Sequence, residues 1–179
     1  MPMVVANRYA RALAEVVAKT GEYSRTLRDL ENVLALYRES AELREVCESP
    51  AVALAAKVKL MATLGERLGA APVTLNFLRV LLAHYRMPLL GEIAEAFRKI
   101  THDRLGITEV KITSSTELTT PEREALRARF AALTGKRAEL EFQLDPHLLG
   151  GVVAQIGSTV YDGSIRGELE RIREHLLAR

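Results

Sequence analysis

A chain of 179 residues of which 48% are hydrophobic can form one domain or two small ones and is too apolar to remain disordered. Its 25 Lys and Arg against 23 Asp and Glu leave a net charge of only +2, and neither half carries the basic block with which a nucleic-acid binder displaces counterions. The single cysteine, Cys47, excludes an internal disulfide, and no apolar run approaches the ~18 residues that suggest a membrane span.

Cys47 falls on an apolar face with Leu43 and Val46, which reads as an inert core thiol in a reducing compartment. The N-terminus lacks the charged-then-apolar layout of a signal peptide. Helix-like patterning begins at Met3, so no transit sequence is expected.

Helical periodicity runs through the first part of the chain. Tyr9, Leu13, Val16 and Val17 share one face of a first helix, and Leu27, Leu30, Leu34 and Tyr37 mark a second. A short third helix starts at Ser40, a suitable N-cap, and ends before Pro50. Ser49-Pro50 then reads as cap plus first-turn proline of a fourth, with the stripe Leu54, Val58, Met61, Leu64 and Leu68. Pro72 opens a fifth and Pro88 a sixth, whose stripe is Leu90, Ile93, Phe97 and Ile100. Short connections between six amphipathic helices predict a bundle.

Two of these helices are unusually apolar. In the first, Asn7, Arg8, Arg11, Glu15 and Lys19 form one narrow polar stripe, and Ala6, Ala10, Ala12, Ala14 and Ala18 permit close approach of another backbone. In the fifth, Val73, Leu75, Phe77, Leu78, Val80, Leu81, Leu82 and Ala83 cover nearly the whole circumference. Such a helix is buried on more than one side. Either it is central to the bundle, or helices one and five flank a groove for a partner's amphipathic helix.

The character of the sequence changes near Leu105-Gly106: 4 glycines occur in the first 105 residues and 7 in the remaining 74. Residues 107–113 alternate as a strand with Val110 and Ile112 inward. A helix follows, capped by Thr119 with Glu122 or by Thr120 before Pro121, with Leu126, Phe130 and Leu133 on its core face and Gly135 at its end. Ala138, Leu140, Phe142 and Leu144 form the inner face of a second strand. After turns at Asp145-Pro146 and Gly150-Gly151, Val152, Ala154 and Ile156 line a third, with Thr159-Val160-Tyr161 a short extension beyond Gly157. Asp162, Gly163 and Ser164 read as turn and cap of a last helix bearing Ile165, Leu169, Ile172 and Leu176. The expected architecture is α+β in two domains: a six-helix bundle over residues 1–105, then a small α+β domain over 106–179 with two helices covering its sheet.

The residues offer no catalytic arrangement, cofactor site or metal site. Gly135-Lys136-Arg137 lacks the upstream glycine and the Ser/Thr of a phosphate loop. Gly150-Gly151 with Gly157 leads into a strand, unlike a dinucleotide fingerprint. His84, His102, His147 and His175 are dispersed, without ligand spacing. His102-Asp103 suits a solvated helix end. Ser164 has no activating base in reach of the pattern, and Glu139 with Glu141 reads as the exposed face of a strand.

Laid out in this way, the chain resembles the delta subunit of bacterial F-type ATP synthases, the counterpart of the mitochondrial oligomycin-sensitivity-conferring protein. Residues Asn7-Arg8-Tyr9-Ala10-Arg11-Ala12-Leu13 are similar to the family's opening Tyr-Ala-x-Ala-Leu helix. Asn76-Phe77-Leu78-Arg79-Val80-Leu81-Leu82, continuing to Arg86, is similar to its fifth helix. The run from Gly150-Gly151 to Leu169 matches its C-terminal signature, with Ser158 standing where members often carry Asp.

The resemblance implies a non-catalytic stator subunit without cofactor, which keeps the catalytic head from turning with the rotor during proton-driven ATP synthesis. Its N-terminal domain would hold the N-terminal segment of an alpha subunit, and its C-terminal domain would meet the b subunits of the peripheral stalk. It implies a bacterial protein bound peripherally on the cytoplasmic side of the inner membrane, with no nucleic-acid partner and no insertion into the bilayer. It also favours the groove reading, for which Tyr9, Ala10, Leu13, Asn76, Phe77, Val80 and Leu81 are the candidate partner-binding residues. Ala10 is expected to face outward, so that an arginine there would block the groove without loss of stability. A helical adaptor outside the synthase is the competing reading, and an enzyme a distant third.

Overall fold

A computed structural model describes residues 2–148 and 150–164. It is α+β, with seven α-helices and a four-stranded sheet among the described residues. The chain divides into two units, Met1–Thr101 and His102–Arg179.

The helical unit contains α1 (Pro2–Val17), α2 (Tyr23–Glu39), α3 (Ala41–Glu48), α4 (Leu54–Leu68), α5 (Pro72–Ala83), a 3₁₀ turn at Met87–Leu89 and α6 (Leu90–Leu105). One core collects residues from Ala6 to Phe97, including Leu30, Val33, Leu78, Leu81, Leu82, Leu90 and Ile93. On α1 the buried positions are Ala6, Ala10, Leu13, Ala14 and Val17, the repeat of one helical face. Val16, expected beside Val17, is turned to solvent. Tyr23 stacks on Phe97 with ring centroids 6.4 Å apart.

Local chemistry starts α3 where the sequence places it and moves the start of α4. The Ser40 hydroxyl accepts the Leu43 N–H at 3.0 Å and starts α3. Ser49-Pro50 does not start α4, which begins at Leu54 behind Ala53. Ser49 instead ends α3, and its hydroxyl accepts the N–H of Ala51 two residues on, the local turn that Ser offers as an alternative to a helix cap.

The buried face of α4 is also shifted from the expected stripe. It consists of Lys57, Met61 and Gly65, while Leu54 and Leu68 are exposed. Lys57 is only 2% exposed. Its Nζ donates to the Cys47 carbonyl at 2.9 Å and lies 5.3 Å from the centre of the Tyr85 ring. A lysine with its charge so satisfied can bury its aliphatic stem like any core residue.

In the second unit the strands are β1 (Ile107–Ser114), β2 (Arg137–Leu144), β3 (Gly151–Ile156) and β4 (Thr159–Ser164). Their order is β2-β1-β3-β4. β1 and β2 are parallel, which demands a crossover, and α7 (Thr120–Thr134) supplies it; the other two pairings are antiparallel. Val110, Ile112, Phe130, Ala138 and Ala154 form the core. Of the expected inner positions, Leu133 at the end of α7 and Leu144 at the end of β2 are exposed. The second covering helix expected after Ser164 lies outside the described residues.

Candidate partner-binding surface

The sharpest sequence expectation concerned α1 and α5, and the two helices meet. The Tyr9 ring sits edge-on to Phe77, centroids 6.4 Å apart at 70°. Burial then sorts the seven candidates. Ala10, Leu13, Phe77 and Leu81 are in the core, Tyr9 is half-buried, and Asn76 and Val80 face solvent.

Ala10 therefore corrects the expectation. It is 0% exposed, and the small residues Ala6, Ala10 and Ala14 serve close packing within the unit's own core. The circumferential apolarity of α5 has a matching explanation, since α5 touches α1, α2, α4 and the 3₁₀ turn. What remains outward on α5 is a ridge formed by Asn76, Arg79, Val80 and Ala83. On α1, Met3, Val4 and Val16 are exposed apolar residues.

Two features fix the placement of α5. Ala71, the residue before the helix, has no side chain to cap it. Asp29 of α2 holds the start of the helix instead, accepting the Ala71 N–H at 2.8 Å and the Thr74 hydroxyl at 3.0 Å, both in buried surroundings. Further along, Leu75 packs where a side chain on Gly65 of α4 would collide with it. An apolar cleft of about 460 Å³ lies between α4 and α5, lined by Leu54, Ala55, Val58, Val80 and Ala83, with Arg79 and His84 at its edge. Sequence patterning missed the α4 wall, because Leu54 and Val58 read there as core.

The second unit holds the turn residues. Gly150, Gly151 and Gly157 all have positive φ, at 143°, 84° and 58°. Gly157 is the first of two residues joining β3 to β4, where a type II′ hairpin requires that conformation. A Cβ on Gly151 would collide with the Gly163 carbonyl oxygen and lie 2.8 Å from Ser164 Cα. Asp162, Gly163 and Ser164 depart from the turn-and-cap reading. They belong to β4, paired with Val153, Val152 and Gly151, and Asp162 Oδ1 accepts the Ser164 N–H at 2.8 Å. A strand ladder satisfies the same backbone groups that the sequence assigned to a cap, and alternation over so short a run hid it.

Titration is perturbed at structural places. Burial pushes the Cys47 thiol up, only partly offset by Lys57. Burial and a hydrogen bond donated to Glu48 raise the Tyr37 phenol. The Thr119 hydroxyl and backbone N–H hold Glu122 below the usual carboxylate range. Among the described residues no group of three His, Cys, Asp or Glu side chains is placed to hold a metal ion.

The family profile described as ATP synthase delta (OSCP) subunit matches residues 5–176. The chain is 43% identical over 175 residues to ATP synthase subunit delta of Acidobacterium capsulatum, covering 97% of this chain and 98% of the relative. It is 38% identical to that of Koribacter versatilis over the same span and shares. In fold it is similar to a chain of the Toxoplasma gondii mitochondrial ATP synthase hexamer, with a TM-score of 0.70, 24% identity and coverage of 97% and 98% of the two chains.

Proposed function

The chain belongs to the ATP synthase delta (OSCP) family, and on that premise we propose that its helical unit receives the N-terminal segment of an alpha subunit while its mixed unit meets the b subunits of the peripheral stalk. The function itself follows from membership: it is a stator component of an F-type ATP synthase and is not catalytic.

The division of labour rests on the asymmetry of the two units. The helical unit, read as a six-helix bundle over residues 1–105, carries an outward ridge on α5 beside α1. Asn76 and Val80 stand on that ridge, Tyr9 at its α1 flank, and Ala10, Leu13, Phe77 and Leu81 support it from beneath. A partner helix laid along such a ridge binds through a few apolar anchors at helical spacing. The mixed unit, residues 106–179, is the remaining candidate for the stalk. No helix among the described residues is long and apolar enough to cross a membrane, which suits a subunit held peripherally, on the cytoplasmic side, by its partners.

The observation carrying the alpha-helix site is the exposure of Asn76 and Val80 on α5, the helix that meets α1 where the Tyr9 ring sits edge-on to Phe77. Asn76 is the cleaner probe because it lies outside the core and away from the lining of the α4–α5 cleft. Replacing Asn76 with Arg should leave the melting temperature nearly unchanged and weaken binding of an alpha N-terminal peptide about tenfold or more, roughly 1.4 kcal/mol. Unaltered affinity in titration calorimetry would remove the α5 ridge from the site.

A further inference from the structure

We infer that Tyr85 is a lid over the buried Lys57 ammonium, and that the turn it occupies, between α5 and the 3₁₀ turn, opens locally without unfolding the helical core. The backbone supplies the first reason. Among the described residues Tyr85 is the only non-glycine residue with positive φ, at 54°. It stands just past the end of α5, where its N–H donates to the Leu82 carbonyl at 3.2 Å and the Arg86 N–H donates to the Leu81 carbonyl at 2.8 Å. That is the paired closure of a Schellman turn, whose left-handed residue is ordinarily glycine because a Cβ crowds the following carbonyl. The chain follows this rule elsewhere: α4 ends on Gly69 and α7 on Gly135, both left-handed. At α5 a tyrosine holds the position against its own backbone preference.

The side chain supplies the second reason. The Tyr85 ring centre lies 5.3 Å from Lys57 Nζ, within the range of cation–π attraction. Lys57 reaches the ring from α4 and donates to the Cys47 carbonyl in the last turn of α3. Lys57 is buried, while Tyr85 is 63% exposed, so the ring has one side on the ammonium and much of the rest in water. Swinging the ring outward relieves the left-handed backbone and hydrates the ammonium. Keeping it in place retains the cation–π contact and the burial of the lysine stem. Two opposed tendencies meeting at one exposed side chain make a turn with two states.

The two ends of α5 are therefore held differently. Asp29 holds the start through buried hydrogen bonds, whereas the Tyr85 contact at the end borders solvent. Opening the lid frees the last turn of α5 and uncovers the amine that serves the end of α3, with the start of α5 left in place.

The test uses the full chain, acetylated with a limiting N-hydroxysuccinimide ester and read by peptide mapping. Lys59, exposed and on the same helix, is the internal standard. Lys57 is expected to react about tenfold or more slowly than Lys59, and to lose that protection at denaturant concentrations that leave amide exchange of the buried Leu78 unchanged. Reaction as fast as that of Lys59, or protection lost only together with that of Leu78, would overturn the proposal.

Tyr85→Gly separates ring from backbone, because glycine suits the left-handed position and carries no ring. Lys57 in that variant should approach the rate of Lys59 with Leu78 exchange unchanged, while Tyr85→Phe, which keeps the ring, should behave as the parent does. A glycine variant whose Lys57 stays as slow as the parent's, or a phenylalanine variant as open as the glycine one, would also overturn it.

Discussion

Ala71 has no side chain with which to cap α5, and a carboxylate from a helix distant in sequence holds the start of the helix instead, through the Ala71 N–H and the Thr74 hydroxyl. Asp29 is buried, and both of its partners, the Ala71 N–H and the Thr74 hydroxyl, would be stranded by its loss. Asp29→Ala should therefore cost about 1–3 kcal/mol in chemical denaturation, whereas Asp29→Asn, which keeps an acceptor oxygen, should cost less. Equal losses for the two variants would show that the acceptor is not what matters. Nothing in the local sequence of α5 signals this contact, since its two ends are separated by about forty residues and helix-start rules look only a few residues away. Ala10 illustrates the opposite difficulty. Its placement on α1 was legible, but an alanine fits equally on a packed or a solvated face, and only the phase of Ala6, Leu13 and Val17 against the core decides between them.

Elements with strong local chemistry were the most legible. Ser40 starts α3, Pro72 opens α5, and β1 has the expected inward Val110 and Ile112. At α7 the sequence left two caps open, and the structure selects Thr119: Glu122 Oε2 accepts both its N–H and its hydroxyl at 2.7 Å. Those donors lower the folded-state pKa of Glu122 below its unfolded value. The contact thus stabilises the fold above the unfolded carboxylate's range and is lost as pH falls through the lowered folded value. Melting temperatures of the parent chain and of Glu122→Gln should differ most near neutrality and converge in acid. A difference independent of pH would mean that Glu122 acts through packing or helix propensity rather than through its charge. The start of α4 and the extent of β4 escaped local reading because a competing local bond was available at each: the Ser49 turn, and the ladder between β4 and β3. Lys57 escaped for a different reason, since its burial depends on a carbonyl from α3 that no periodicity within α4 reveals.

At the scale of the whole chain, the described residues build two separate cores. The helical core draws on residues from Ala6 to Phe97, and the sheet core on Val110 to Ala154. Each is assembled from its own stretch of sequence, so residues 1–105, which retain all of α6, contain every buried group of the helical core. About a hundred residues in a helical arrangement is enough to fold alone. The fragment should show a cooperative, reversible melt by circular dichroism and bind an alpha N-terminal peptide as tightly as the full chain does. The same fragment should fail to bind a peptide from the C-terminal end of the b subunits, whereas the full chain binds it. An unfolded fragment would mean that the helical core depends on the second unit for its stability. A folded fragment that has lost the alpha peptide would instead mean that the binding surface spans both units, and the proposed division between head and stalk would fail on that result alone.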